Sequence, residues 1–141
     1  TGLAPFLSVI KDPETYERFE KVVLLHGCRR VKELAYGEMI TEQLPKHDFL
    51  GEYIRDQLIY YPTVTRDPFR NRGRITDLMT SGKLFADIGL PEIDAEHDRV
   101  MMCGSPALLV DTRALLLERG FVEGNHGEPG HFVVEKAFAE R

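Results

Sequence analysis

The sequence predicts a three-layer α/β fold, a parallel sheet between helices, and three observations carry that reading. Four apolar runs, at residues 21–27, 58–64, 99–103 and 131–135, are near-continuous rather than alternating, as in strands buried on both faces. Helical patterns separate these runs, which places helices on the two faces of the sheet. The chain also opens on Thr1-Gly2-Leu3-Ala4-Pro5-Phe6, which has the form of a turn leading from a strand into a helix.

Taken in order, Gly2 permits that tight turn, and Pro5 suits the first turn of the helix, where its missing N–H leaves no bond unmade. The amides of Thr1, Gly2 and Leu3, with Ala4 and Pro5 behind them, would then meet an anion favoured by the helix dipole. Such a turn leaves the carboxyl end of a buried strand, and no residue precedes Thr1, so the expected sheet lacks its first strand. After the run at 21–27, Val31, Leu34, Ala35 and Met39 fall at helical spacing with Pro45 just beyond, which predicts a helix. Ser105 can cap a second helix, Pro106 suits its first turn, and Gly120 can end it after Leu115, Leu116 and Leu117. No repeat or low-complexity linker interrupts the pattern.

A chain of 141 residues suits one domain, and a net charge of −5 argues against a nucleic-acid partner. No apolar run approaches a membrane span and no signal peptide is visible, so no membrane association is expected and the cytoplasm is the expected compartment. Cys28 and Cys103 lie far apart with no CxxC or Cys/His spacing; His26, at a strand end, can hydrogen-bond within the core, and His47, His97, His126 and His131 show no ligand pattern such as HExxH. Two free thiols and no metal site are expected.

In α/β folds ligands bind beyond the carboxyl ends of the strands. The run at 21–27 leads into Cys28-Arg29-Arg30, where a site preferring NAD usually carries an acid and one for a 2′-phosphate an arginine. The run at 58–64 leads into Thr65-Arg66, followed by Arg70, Arg72 and Arg74. Clustered guanidiniums on an acidic chain suit bidentate phosphate binding, with a solvated loop as the alternative for Arg70 and Arg72. The fourth motif is Cys103-Gly104-Ser105-Pro106, a glycine at a helix start that fits a planar ring or a phosphate. Ser105 lacks a GxSxG elbow and Cys103 has no neighbouring histidine in sequence, so neither reads as a nucleophile. Glu135 follows a buried strand, where a carboxylate needs a partner. No GK[ST] loop occurs, which excludes ordinary ATP or GTP hydrolysis.

In their order, Thr-Gly-Leu-Ala-Pro-Phe (1–6), His-Gly-Cys-Arg (26–29), Thr-Val-Thr-Arg (63–66), Gly-Arg-Ile (73–75), Ile-Gly-Leu-Pro (88–91), Cys-Gly-Ser-Pro (103–106) and Val-Glu-Lys-Ala-Phe (134–138) resemble the NADP-binding domain of bacterial ferredoxin–NADP⁺ reductases. The resemblance spans residues 1–141 and implies FAD and NADP(H) as cofactors and ferredoxin or flavodoxin as electron partner. It implies a sheet order of 3-2-1-4-5 with strand 1 missing here, and a monomer when intact. Its implied catalytic residues are Cys103 and Glu135. Its implied cofactor residues are the opening loop (1–5), then Arg29, Arg30, Thr65, Arg66, Arg74, Gly104 and Ser105, and last Ala137 and Phe138 in a short C-terminal extension against the flavin. No tyrosine is followed by serine, so the family's flavin barrel with its Arg-x-Tyr-Ser motif is absent from these residues. Without it no turnover is expected. Two other readings stand beside this one. One is the reductase component of another flavin reductase family; the other is a non-catalytic nucleotide-binding redox module using Cys28 or Cys103.

Overall fold

Val22–Cys28 forms β1 and Leu58–Val64 forms β2, a parallel pair in register from Val22 opposite Leu58 to Cys28 opposite Val64. Both are rich in branched and aromatic residues, which suits a buried ladder. The computed structural model describes residues 4–34, 39–124 and 130–134. The chain divides into two compact units, one of residues 6–77 and one built mainly on residues from 78 onward.

α1 (Ala4–Ile10), whose residues from Phe6 onward belong to the first unit, and α2 (Pro13–Arg18) precede β1. Pro5 stands in the first turn of α1, as expected, and Asp12 caps α2 by accepting from the Glu14 N–H at 3.0 Å. The buried Tyr16 hydroxyl donates to the Ile10 carbonyl at 2.6 Å, and its ring stacks on Tyr53 of α3 (Gly51–Gln57), with centroids 5.5 Å apart. Gln57 closes the end of α3 by donating to the carbonyls of Tyr16, Phe19 and Glu20. The buried set includes Ile10, Leu24, Ile40, Leu44, Leu50, Ile54, Tyr61 and Val64.

Among the described residues, which leave out Ala35, the helix expected from Val31, Leu34, Ala35 and Met39 is not seen: Val31–Glu33 is a 3₁₀ turn, Met39–Gln43 a π turn and Leu44–Lys46 a 3₁₀ turn that contains Pro45. Val31, the first residue of that spacing, is exposed, and the turns at 39–46 bury Ile40 and Leu44, which the spacing does not include. Pro45 also sets the next contact. A Cβ on Gly51 would stand 2.5 Å from the Pro45 carbonyl oxygen, so glycine alone lets α3 start against this turn.

α4 (Ile75–Thr80) and α5 (Lys83–Ile88) follow β2. The second unit then pairs β3 (Val100–Met102) with β4 (Phe132–Val134), again parallel. Residues 122–124 flank β4 on its other side, through His131 N–H to Val122 O at 2.7 Å and Gly124 N–H to Phe132 O at 2.8 Å. Between β3 and β4 runs α6 (Pro106–Glu118), capped by Ser105, whose Oγ accepts from the Leu108 N–H at 3.2 Å. Gly120, at φ +87°, ends it in a Schellman arrangement: Phe121 N–H bonds Leu116 O at 3.0 Å and Gly120 N–H bonds Leu117 O at 3.1 Å. That turn delivers Phe121 to a cluster with Met102, Leu116 and Phe132.

The fold is α/β with parallel strands. Its described strands form two separate pairs, β1 with β2 and β3 with β4.

Candidate nucleotide-binding site

The pairing of β1 with β2 continues past the last strand residues. Thr65 N–H donates to Cys28 O at 3.1 Å, and Arg66 N–H donates to Arg29 O at 2.8 Å. The two exits therefore leave the sheet side by side, with Arg29, Arg30, Thr65 and Arg66 all exposed. The loop beyond folds back on β2. Asn71 Nδ2 donates to Pro62 O at 2.9 Å, Thr63 Oγ1 donates to Gly73 O at 2.9 Å, and Gly73 N–H donates to Val64 O at 3.0 Å. Arg74, the residue after Gly73, is brought to the same strand end. Arg70 lies over the Phe69 ring at 4.6 Å, a cation–π contact that accounts for one arginine of the cluster without a phosphate.

An acidic residue also enters this group. Asp67 accepts from Arg30 Nη1 at 3.0 Å and from the Val31 N–H at 2.8 Å. Its partners are more than thirty residues away in sequence, so no local spacing announces it.

A second cluster lies behind the exits. His26 shares a hydrogen bond of 2.8 Å between Nδ1 and the Tyr60 hydroxyl, and its Nε2 stands 3.4 Å from Cys28 Sγ. Burial holds the His26 imidazole below its usual pKa, so it is neutral at neutral pH. The Tyr60 hydroxyl is pushed up to about 12, first by burial and then by Cys28, against the pull of Arg70. A spacing of two puts His26 and Cys28 on one strand face, and that signal was present in the sequence. His26 thus hydrogen-bonds within the fold, as expected.

In the second unit, Cys103, Gly104 and Ser105 join β3 to α6. A Cβ on Gly104 would meet Leu108 Cδ2 at 2.7 Å, and its φ of +154° also favours glycine. Ser105 is the helix cap the sequence predicts. Both cysteines are free of disulfides. Asp94, Glu96 and His97 bring one ligand atom each within 4.8 Å of one another, a grouping that ligand spacing does not signal. All three are exposed, and a turn explains their approach: Asp94 accepts from the Glu96 N–H at 3.0 Å and pairs with His97 Nδ1 at 2.8 Å. Thr1, Gly2, Leu3, Glu135, Ala137 and Phe138 lie outside the described residues; Ala4 and Pro5 begin α1.

Parallel strands joined through helices, with arginines at the exits of one pair and a glycine-led helix start after the other, define an α/β nucleotide-binding domain. Residues 1–114 match the family described as the oxidoreductase NAD-binding domain, and the chain belongs to that family. Among relatives, it is 60% identical over 139 residues to ferredoxin–NADP reductase A of Sorangium cellulosum, covering 99% of this chain and 50% of that protein. It is 58% identical over 142 residues to a ferredoxin–NADP reductase of Pseudomonas aeruginosa, covering 100% of this chain and 55% of that one. A crystal structure of a ferredoxin NADP⁺ reductase from Neisseria gonorrhoeae with bound FAD and NADP superposes with a TM-score of 0.79 at 28% identity, over 97% of this chain and 52% of that chain. The chain thus spans about half the length of the curated relatives it matches.

Proposed function

We propose that this chain is the NADP(H)-binding half of a flavoenzyme that moves electrons between NADPH and ferredoxin or flavodoxin through FAD. The observation that carries the reading is the bonded pair of strand exits, Arg66 N–H to Arg29 O at 2.8 Å, which sets two arginines side by side. An NAD-preferring site would put an acid after β1; the acid nearby, Asp67, has both oxygens occupied by Arg30 and Val31. The residues present therefore fit a 2′-phosphate, with Arg29, Arg66 and Arg74 as its readers and Thr65 beside them.

In this reading residues 1–5 meet the pyrophosphate, and Gly104 and Ser105 receive the nicotinamide end. Cys103 and Glu135 are assigned to the chemistry, and residues 137–141, with Ala137 and Phe138, to a flavin-contacting extension. The nicotinamide, when bound, supplies the hydride; the chain's part is to place it. The names of the relatives support ferredoxin or flavodoxin as partner, and the resemblance supports a monomer in the cytoplasm. Among the described residues no helix is long and apolar enough to cross a membrane.

The test is kinetic. In the full-length protein, Arg66→Ala or Arg74→Ala should raise the KM for NADPH strongly and leave NADH use nearly unchanged. Equal losses with both cofactors would remove the 2′-phosphate role. A second reading, thiol-dependent nucleotide binding, is favoured by the 3.4 Å approach of His26 Nε2 to Cys28 Sγ. Unchanged binding after Cys28→Ser and Cys103→Ser would dismiss it.

A further inference from the structure

We propose that Asp67 is a positioning residue of this site, clipping the β1 exit to the β2 exit and holding Arg30 away from the phosphate. The inference rests on the 2′-phosphate reading above. Both carboxylate oxygens of Asp67 are used, one by the Arg30 guanidinium at 3.0 Å and the other by the Val31 N–H at 2.8 Å. These bonds follow directly on the backbone bonds Thr65 to Cys28 and Arg66 to Arg29. The exits are thus tied at consecutive points, and the last tie is a side chain.

Chemistry explains why the tie must be a paired one. A carboxylate beside an anion site repels the anion, and the arginine it holds cancels that charge. The Arg30 side chain is 52% exposed and that of Asp67 27%, and ion pairs this open contribute little to stability. The consequence of the pair is therefore geometric: it fixes the loop that carries Arg29 and leaves Arg29 and Arg66 to meet the ligand. Arg30, an arginine in sequence like its neighbour, acts through Asp67 and does not read the phosphate.

The experiment titrates the full-length protein, its Asp67→Ala variant and its Asp67→Asn variant with 2′,5′-ADP and with 5′-ADP. The wild type should prefer 2′,5′-ADP. Asp67→Ala should weaken 2′,5′-ADP by roughly tenfold and leave 5′-ADP within about twofold, the loss expected when preorganised groups are released. Asp67→Asn still offers one oxygen to the Val31 N–H and should lose less than the alanine variant. A global folding defect would instead weaken both ligands together. Unchanged or tighter 2′,5′-ADP binding by Asp67→Ala, or equal losses for the two ligands, would overturn the inference. A wild type with no preference between them would remove the 2′-phosphate reading itself.

Discussion

β1 and β2 pair over seven residues each and end in exposed arginines tied by backbone bonds and by Asp67. β3 and β4 pair over three residues each and are held by Met102, Leu116, Phe121 and Phe132. The first pair has a ladder long enough to project a polar surface past its own end. The second depends on apolar burial and on the caps of α6. Damage to the arginines at the exits of the first should therefore appear in ligand binding, and damage to the apolar cluster of the second in stability.

The largest expected effect belongs to the short pair. Phe132 is 1% exposed, and Phe132→Ala should cost about 3–5 kcal/mol in urea unfolding. A loss confined to ligand binding would erase the contrast between the regions. Next is Arg29→Ala, which should cost about 1.5–3 kcal/mol of 2′,5′-ADP binding, as for a charge-assisted bond. Its unfolding midpoint should stay put, because Arg29 is exposed. Ser105→Ala removes the bond to the Leu108 N–H and should cost about 1 kcal/mol of stability, read again by unfolding.

The smallest effect is in pH dependence, where the two regions should tilt in opposite directions. Burial lowers the pKa of His26, so the unfolded chain takes up the proton first as pH falls below about 6.5. Its stabilising share is complete above that pH and fades as pH drops toward the folded value. His97 is raised, first by its hydrogen bond to Asp94, so its share is complete below about 6.5 and fades as pH rises through the folded value. Unfolding measured across pH should show His26→Gln flattening the acid side and His97→Gln the alkaline side. The same slope change from both variants would contradict these assignments.

The long ladder and the long helix were the legible parts of the fold. Residues 58–64, branched and aromatic apart from Pro62, coincide with β2, and Ser105, Pro106 and Gly120 bracket α6 by local cap chemistry. The turns at 31–33 and 39–46 were not legible, since the apolar spacing that suggests a helix includes Val31, which is exposed, and omits Ile40 and Leu44, which are buried. The N-cap residues of α3 and α5, Leu50 and Gly82, make no side-chain cap bond, so neither marks a helix start. In the site, arginines at strand ends can be read from sequence because position alone selects them. The Asp67 clip cannot, because it joins two loops only after the strands have paired.

The most direct test of the central claim is reduction of the bound flavin in the full-length protein, followed by bleaching of its absorbance, with NADPH and NADH at equal low concentrations. NADPH should bleach it rapidly and NADH much more slowly, because the proposed role of Arg29 and Arg66 is to meet the phosphate that only NADPH carries. Equal rates, or a preference for NADH, would contradict it.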